Sequence, residues 1–121
     1  MESLDSAAMA TSEILERLAE VIFQRHRERP EGSYVTTLLE GGSAAIAEKV
    51  REESEELIEA AAADDRSHTA AEAADLLFHV FVLLAEAGVE PAAVYAELDR
   101  RFGTGGHVEK AARNEEGEPS C

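Results

Sequence analysis

Apolar residues recur every three or four positions along most of this 121-residue sequence, and no segment alternates apolar and polar residues as a strand does. Alanine supplies much of the 45% hydrophobic fraction, and aromatic residues make up only 5%. This mixture favours long helices with small contact residues over a sheet core. The pattern therefore predicts an all-α fold, an antiparallel bundle of four to five helices whose core is completed by oligomerisation.

Breaks in the helical pattern predict where each helix begins and ends. Ser33 and Ser43 stand where side chains can cap a second and a third helix. Gly88 stops a fourth helix, and Pro91 fits the first turn of a fifth. The predicted helices span about residues 12–27, 34–40, 43–63, 69–87 and 91–101. We expect one domain over residues 12–102, a flexible extension over residues 1–11 and a partly disordered tail over residues 103–121.

The charge balance and the cysteine count limit the classes of function. The chain has 26 acidic residues against 11 basic ones, which disfavours a nucleic-acid partner because phosphate backbones need a basic surface. The only cysteine, Cys121, leaves no disulfide within the chain, which suits a reducing cytoplasm. The first ten residues contain acids and no basic residue, unlike a signal peptide, and no apolar stretch is long enough to span a membrane. We therefore expect a cytoplasmic protein without a membrane partner.

Two acidic clusters stand on neighbouring predicted helices. The first is the run Glu52-Glu53-Ser54-Glu55-Glu56, and the second contains Glu72 and Asp75. Residues three and four apart share a helix face, so Glu53 and Glu56 project together, as do Glu72 and Asp75. If the two helices pack antiparallel, four or five carboxylates converge, and their repulsion is costly without a cation. Mg²⁺ prefers such oxygen ligands and is commonly shared with phosphates, so the pattern predicts metal-dependent chemistry on a phosphate compound.

A solvated helix face is the plain alternative for any single acidic pair, because Glu is a favoured surface residue in helices. The second acidic pair on the next helix favours the metal site. Asp75 also favours the metal site, because Asp is a poor residue in the middle of a helix. Asp75 directly precedes the apolar run 76–78.

Basic side chains flank the two clusters. Lys49 lies one turn before Glu53, so it either forms an ion pair with that residue or reaches a substrate phosphate beside the metal. His79 lies one turn after Asp75, where it is either a hydrogen-bonded packing residue or a partner of Asp75 or of a phosphate.

Residues 49–56 and 72–79 together resemble the phosphoribosyl-ATP pyrophosphatase family of the all-α NTP pyrophosphohydrolase superfamily, which includes the MazG-type enzymes. Residues 33–39 are similar to the segment that precedes the long helix in that family, and the resemblance extends over about residues 15–113. Three positions depart from the pattern. Arg51 replaces a usual Gly, Ser54 replaces Ala, and Phe78 replaces a common Tyr.

The resemblance implies Mg²⁺-dependent hydrolysis of phosphoribosyl-ATP to phosphoribosyl-AMP and pyrophosphate, the second step of histidine biosynthesis, by a homodimer. The implied metal ligands are Glu53, Glu56, Glu72 and Asp75, and the implied catalytic residues are Glu52, as ligand or base, and Glu53. The implied substrate-binding residues are Ser33, Tyr34, Thr37, Lys49, Arg51 and His79. Two alternatives stay open at this stage, a MazG-like NTP or dNTP pyrophosphohydrolase and a non-catalytic dimeric helical interaction protein.

Overall fold

The computed structural model describes residues 13–103, and within this range the chain forms five α-helices and no strand. They are α1 (Glu13–Glu28), α2 (Tyr34–Glu40), α3 (Gly42–Ala62), α4 (Arg66–Ala87) and α5 (Pro91–Phe102). The prediction of an all-α fold is confirmed. The predicted extension over residues 1–11, and the predicted tail beyond residue 103, lie outside the described residues.

The chain forms two compact units, one ending at Val89 and the other beginning at Glu90. The first unit contains α1 to α4. The second contains α5, which begins with Pro91 at its first position and has Arg100 and Arg101 in its last turn. Both arginines hydrogen-bond Glu97, and these bonds lower the pKa of Glu97 to about 2. Within residues 13–103, no single helix is both long and apolar enough to cross a membrane.

Helix α2 begins and ends where the sequence predicted. The Ser33 side-chain oxygen accepts a hydrogen bond from the backbone N–H of Thr36 at 3.4 Å and so caps the helix. At the other end, the backbone N–H of Gly41 donates to the carbonyl oxygens of Leu38 and Thr37. These bonds satisfy backbone groups that a helix end would otherwise leave unpaired.

The predicted role of Ser43 as the N-cap of α3 is wrong. The helix begins at Gly42, its N-cap position is Gly41, and no side chain caps it. The reason lies in the backbone of Gly42, which has a φ of +85° that a glycine adopts without strain. This conformation turns the chain directly from α2 into α3, so that Ser43 already lies in the first turn.

Helix α4 begins at Arg66, three residues before the predicted start, and α3 and α4 are therefore joined by only residues 63–65. The cause is Asp65, whose side-chain oxygen accepts a hydrogen bond from the His68 backbone N–H at 3.1 Å. Gly88 ends α4 in a left-handed conformation, as predicted. A connection this short makes α3 and α4 antiparallel neighbours, and they form the most extensive helix–helix contact of the first unit.

The core of the first unit lies where α1, α3 and α4 meet. Ile22, Ile46 and Val82, one from each of these helices, are all 0% exposed. Val35 and Leu39 of α2 are buried as well. Because each long helix contributes a fully buried side chain, the core fixes how α3 and α4 are placed relative to each other.

Candidate active site

Three carboxylates from α3 and α4 converge on one point. One oxygen from each of Glu53, Glu56 and Glu72 lies within 4.8 Å of the other two. The helical hairpin explains the meeting, because Glu56 lies six residues before the end of α3 and Glu72 lies six residues after the start of α4. Glu53 is one turn before Glu56 and shares its face. The predicted convergence of the two acidic clusters is confirmed for these three residues.

Two of the three carboxylates place an oxygen inside the protein without a protein partner. Glu53 is only 7% exposed, and its Oε1 atom accepts no hydrogen bond from the described residues. The Oε1 atom of Glu72 is buried and unpaired in the same sense. A buried carboxylate oxygen without a partner is costly. The donor set consists of hard oxygens from separate side chains, which is the kind of set that Mg²⁺ takes. These residues therefore fit a divalent cation.

A basic side chain, Lys49, lies beside the second oxygen of the buried Glu53 carboxylate. The Lys49 ammonium lies 3.8 Å from Glu53 Oε2 and 3.2 Å from Glu52 Oε1. The hydrogen bond to Glu52 is the largest cause of the raised pKa of Lys49, so this residue stays a cation at neutral pH. The sequence predicted either an ion pair with Glu53 or a phosphate contact for Lys49, and the structure contains the ion pair.

His68 is a residue of the site that the sequence analysis missed. Its Nε2 atom lies 2.9 Å from Glu72 Oε2, on the same helix and one turn earlier. His68 and Glu72 both line a cavity of about 210 Å³ beside Glu56. Carboxylates that bind metals are commonly oriented by such hydrogen-bonding neighbours. The i, i+4 spacing of a histidine before an acid was the signal that could have found it.

Glu56 is the exposed member of the cluster. Its pKa is raised, first by the side-chain interaction with Glu72 and second by the charge of Glu53. The neighbouring carboxylates thus favour the protonated form of Glu56, and a bound cation would favour the ionised form.

We expect Glu56→Gln to raise the melting temperature of the metal-free protein by a few degrees at pH 7. A raised pKa means that the folded protein holds the proton more tightly than the unfolded chain. The contribution of Glu56 to the stability of the wild type therefore falls as the pH rises above the ordinary glutamate value of 4.5 and through the raised pKa. Gln does not ionise and avoids this loss. Thermal unfolding with EDTA at pH 4 and pH 7 measures the difference.

The same variant should lose most of the stabilisation that Mg²⁺ gives the wild type, because ligands stabilise the state that binds them. Glu55→Gln is the matched control, since Glu55 is exposed and outside the three-carboxylate group. If Glu56→Gln melts at a lower temperature than the wild type in EDTA, the result contradicts the claim that ionised Glu56 destabilises the metal-free protein.

The other residues predicted to bind the metal or the substrate lie outside the three-carboxylate group. Asp75 is exposed and does not belong to the three-carboxylate group, so its role as a ligand stays a prediction. Arg51 is exposed and pairs with Glu48 at 3.4 Å on its own helix. Thr37 is exposed, and its hydroxyl donates to the Ser33 carbonyl oxygen at 3.2 Å. The substrate contacts predicted for Arg51, Ser33 and Thr37 also stay predictions.

An aromatic group joins α2 to α4. The Tyr34 hydroxyl lies 2.9 Å from His79 Nε2, although the two residues are 45 positions apart in the sequence. The Tyr34 ring stacks against Phe78, with 6.0 Å between ring centroids. The hydrogen bond and the stacked rings together hold Tyr34 against α4.

Comparisons with known proteins show the family of the chain. The profile of the phosphoribosyl-ATP pyrophosphohydrolase family matches residues 15–102. A phosphoribosyl-ATP pyrophosphatase of Rhodopirellula baltica is 54% identical over 102 residues, covering 82% of this chain and 85% of that protein. One from Geobacter sulfurreducens is 48% identical over 103 residues, covering 85% of this chain and 95% of that protein. The carboxylate cluster and all but the first two residues of the described helices fall within the matched residues, and the chain belongs to the phosphoribosyl-ATP pyrophosphohydrolase family.

Proposed function

We propose that this chain carries out the reaction of its family as a Mg²⁺-dependent cytoplasmic enzyme of histidine biosynthesis. It hydrolyses phosphoribosyl-ATP to phosphoribosyl-AMP and pyrophosphate. The observation that carries the proposal is the convergence of Glu53, Glu56 and Glu72, two of which hold a buried and unpaired oxygen, in a chain of this family.

Glu53, Glu56 and Glu72 would hold the ion, and Asp75 is the proposed fourth ligand. A bound Mg²⁺ neutralises phosphate charge and makes a nearby water more acidic. Glu53 and Glu72 contribute charge from fixed positions, since Lys49 and His68 each restrain one oxygen, the Oε2 atom, of these carboxylates. This preorganisation avoids the cost of arranging the ligands during the reaction.

Glu52 is the proposed general base. It is exposed on the same helix as the cluster, and it neighbours Glu53 in the sequence. Lys49 Nζ donates a hydrogen bond to Glu52 Oε1 at 3.2 Å, and this bond orients the Glu52 carboxylate. An ionised carboxylate can accept a proton from an attacking water.

Lys49 is the proposed phosphate-binding cation. Its ammonium stands between Glu52 and Glu53 and carries a full charge at neutral pH. We propose that Arg51, Ser33 and Thr37 contact the outer parts of the substrate. Arg51 and Thr37 are exposed and Ser33 is half-buried, which leaves these side chains accessible.

Substrate preference tests the proposal. The purified protein should release pyrophosphate from phosphoribosyl-ATP with a kcat/KM at least about a hundredfold above that for dATP or dCTP, because specific sites discriminate by several kcal/mol. A protein that hydrolyses dNTPs well and phosphoribosyl-ATP poorly would contradict the assignment. A protein that binds neither Mg²⁺ nor nucleotide in calorimetry would favour a non-catalytic role.

We also propose that the chain acts as a homodimer. Ile58 of α3 is 66% exposed, and Leu77 of α4 is exposed as well, on the two helices that carry the carboxylates. Large apolar side chains at a surface commonly mark an interface between proteins.

Light scattering coupled to gel filtration tests the dimer. Ile58→Asp should give a monomer at concentrations where the wild type is a dimer, because a buried charge without a partner opposes association. Ile58→Leu is the control and should remain dimeric. A wild type that is monomeric at every concentration would contradict the dimer.

A further inference from the structure

We propose that His79 is a positioning residue, which holds Tyr34 so that the Tyr34 oxygen accepts a hydrogen bond from a hydroxyl or amino group of the nucleotide. This inference rests on the proposed function. In this inference His79 contacts Tyr34 and does not contact the substrate. The resemblance, in contrast, implied a direct substrate contact for His79. The inference also separates the task of Tyr34 from that of Lys49.

Both ring nitrogens of His79 already have partners inside the protein. His79 is only 5% exposed, and its Nδ1 lies 2.8 Å from the backbone carbonyl oxygen of Asp75. A carbonyl oxygen only accepts, so this contact selects the imidazole tautomer that carries its proton on Nδ1. Nε2 is then an acceptor, and its partner at 2.9 Å, the Tyr34 hydroxyl, must donate. No group on His79 remains for a ligand.

The aromatic neighbours of Tyr34 fix its ring as well as its hydroxyl. Phe78 packs at an interplanar angle of 21° to the Tyr34 ring, and His79 meets that ring edge-on at 86°. Phe78 and His79 also meet edge-on, with 5.2 Å between centroids. Such offset and edge-to-face arrangements are favourable for aromatic rings. Tyr34 nevertheless stays 49% exposed, so a ligand can reach it.

The direction of the hydrogen bond decides which ligand group Tyr34 can recognise. Because its proton is given to His79, the phenol oxygen has only lone pairs to offer. It can accept from a sugar hydroxyl or from the amino group of a base, whereas a phosphate oxygen requires a donor. Lys49, whose ammonium lies 3.8 Å from Glu53 Oε2, is a donor at the carboxylate cluster. The geometry thus assigns phosphate to Lys49 and the nucleoside part of the ligand to Tyr34.

A double-mutant cycle tests the positioning role. The proteins are the full-length wild type, Tyr34→Phe, His79→Leu and the double variant. Tyr34→Phe should raise the KM for phosphoribosyl-ATP about tenfold, the effect of one lost hydrogen bond, with kcat changed less than about threefold. His79→Leu should raise KM by a similar factor, and the double variant should be no worse than either single one.

Two further variants separate positioning from a loss of folding. His79→Gln should restore a KM close to that of the wild type, because its side-chain oxygen can accept from the Tyr34 hydroxyl. Tyr95→Phe is the matched control in α5 and should leave KM unchanged. Multiplied effects in the double variant, or an unchanged KM in Tyr34→Phe, would overturn the proposal.

The dissociation constant of phosphoribosyl-AMP, measured by calorimetry on the same variants, needs no turnover. The substitutions at Tyr34 and His79 could prove coupled in their effects on this dissociation constant while the wild type releases no pyrophosphate. That result would refute the proposed reaction and leave the positioning role of His79 standing. Analogues that each lack one donor, either a hydroxyl of one ribose or the amino group of the base, identify the group. The Tyr34→Phe effect should vanish for one of them, and an effect that persists for all of them would refute the acceptor role.

Discussion

Glu53→Gln is expected to slow pyrophosphate release from phosphoribosyl-ATP by about a thousandfold at saturating Mg²⁺, because metal ligands supply several kcal/mol of transition-state stabilisation. Glu53 is the most buried member of the carboxylate cluster, and its Oε1 atom has no partner among the described residues. Gln has the same shape but no charge, and one of its two terminal groups donates. The variant therefore keeps the packing and loses the ligand.

Steady-state kinetics and Mg²⁺ calorimetry measure this effect together. Glu55→Gln is the control within the same acidic run, since Glu55 is exposed and outside the cluster, and it should keep wild-type rates and Mg²⁺ affinity. Thermal unfolding verifies that both variants fold. A Glu53→Gln enzyme that keeps more than about a tenth of the wild-type rate would contradict the role of Glu53 as a ligand.

The largest expected effect on stability comes from Ile46→Ala, which should reduce the free energy of unfolding by about 2–5 kcal/mol. Ile46 is 0% exposed on α3. Truncating it removes apolar burial and leaves a cavity where α1, α3 and α4 meet. For a domain of this size, the loss corresponds to a fall in melting temperature on the order of 10–20 °C.

Chemical denaturation of Ile46→Ala beside Ile14→Ala measures this effect. Ile14 is a half-exposed isoleucine of α1, so its truncation should cost less than about 1 kcal/mol. Equal losses for the two variants would mean that the core does not lie where α1, α3 and α4 meet.

Local signals in the sequence predicted most of the helix ends. Ser33, Gly88 and Pro91 act on their own backbone neighbourhood, so their effects can be read from a few adjacent residues. The start of α3 could not be predicted in this way. The choice between Ser43 as a cap and a direct turn at Gly42 depends on how α2 packs, and no local pattern shows it.

Helical periodicity locates the buried stripe of a helix better than it gives the width of that stripe. Ile22 and Ile46 belong to the apolar patterns of α1 and α3 and are fully buried. Val21 and Leu77 belong to the apolar patterns of α1 and α4, yet they are exposed in the described residues. The period gives the centre of the stripe, whereas the neighbouring helices decide how far the core extends on either side.

The carboxylate cluster was predictable because it needs only two helical spacings and a short connection between the helices. Glu53, Glu56 and Glu72 follow from that geometry. His68 was missed because its contact with Glu72 required α4 to begin earlier than predicted. The hydrogen bond between Tyr34 and His79 joins distant parts of the chain, so only the folded structure reveals it.

The most direct test of the central claim is pyrophosphate release from phosphoribosyl-ATP by the wild type, stripped of metal with EDTA and then titrated with Mg²⁺. We predict no release above background without metal, and recovery that saturates as Mg²⁺ fills the site formed by Glu53, Glu56 and Glu72. Full activity in EDTA, or recovery that is equally strong in Glu53→Gln, would contradict the assignment of catalysis to this cluster.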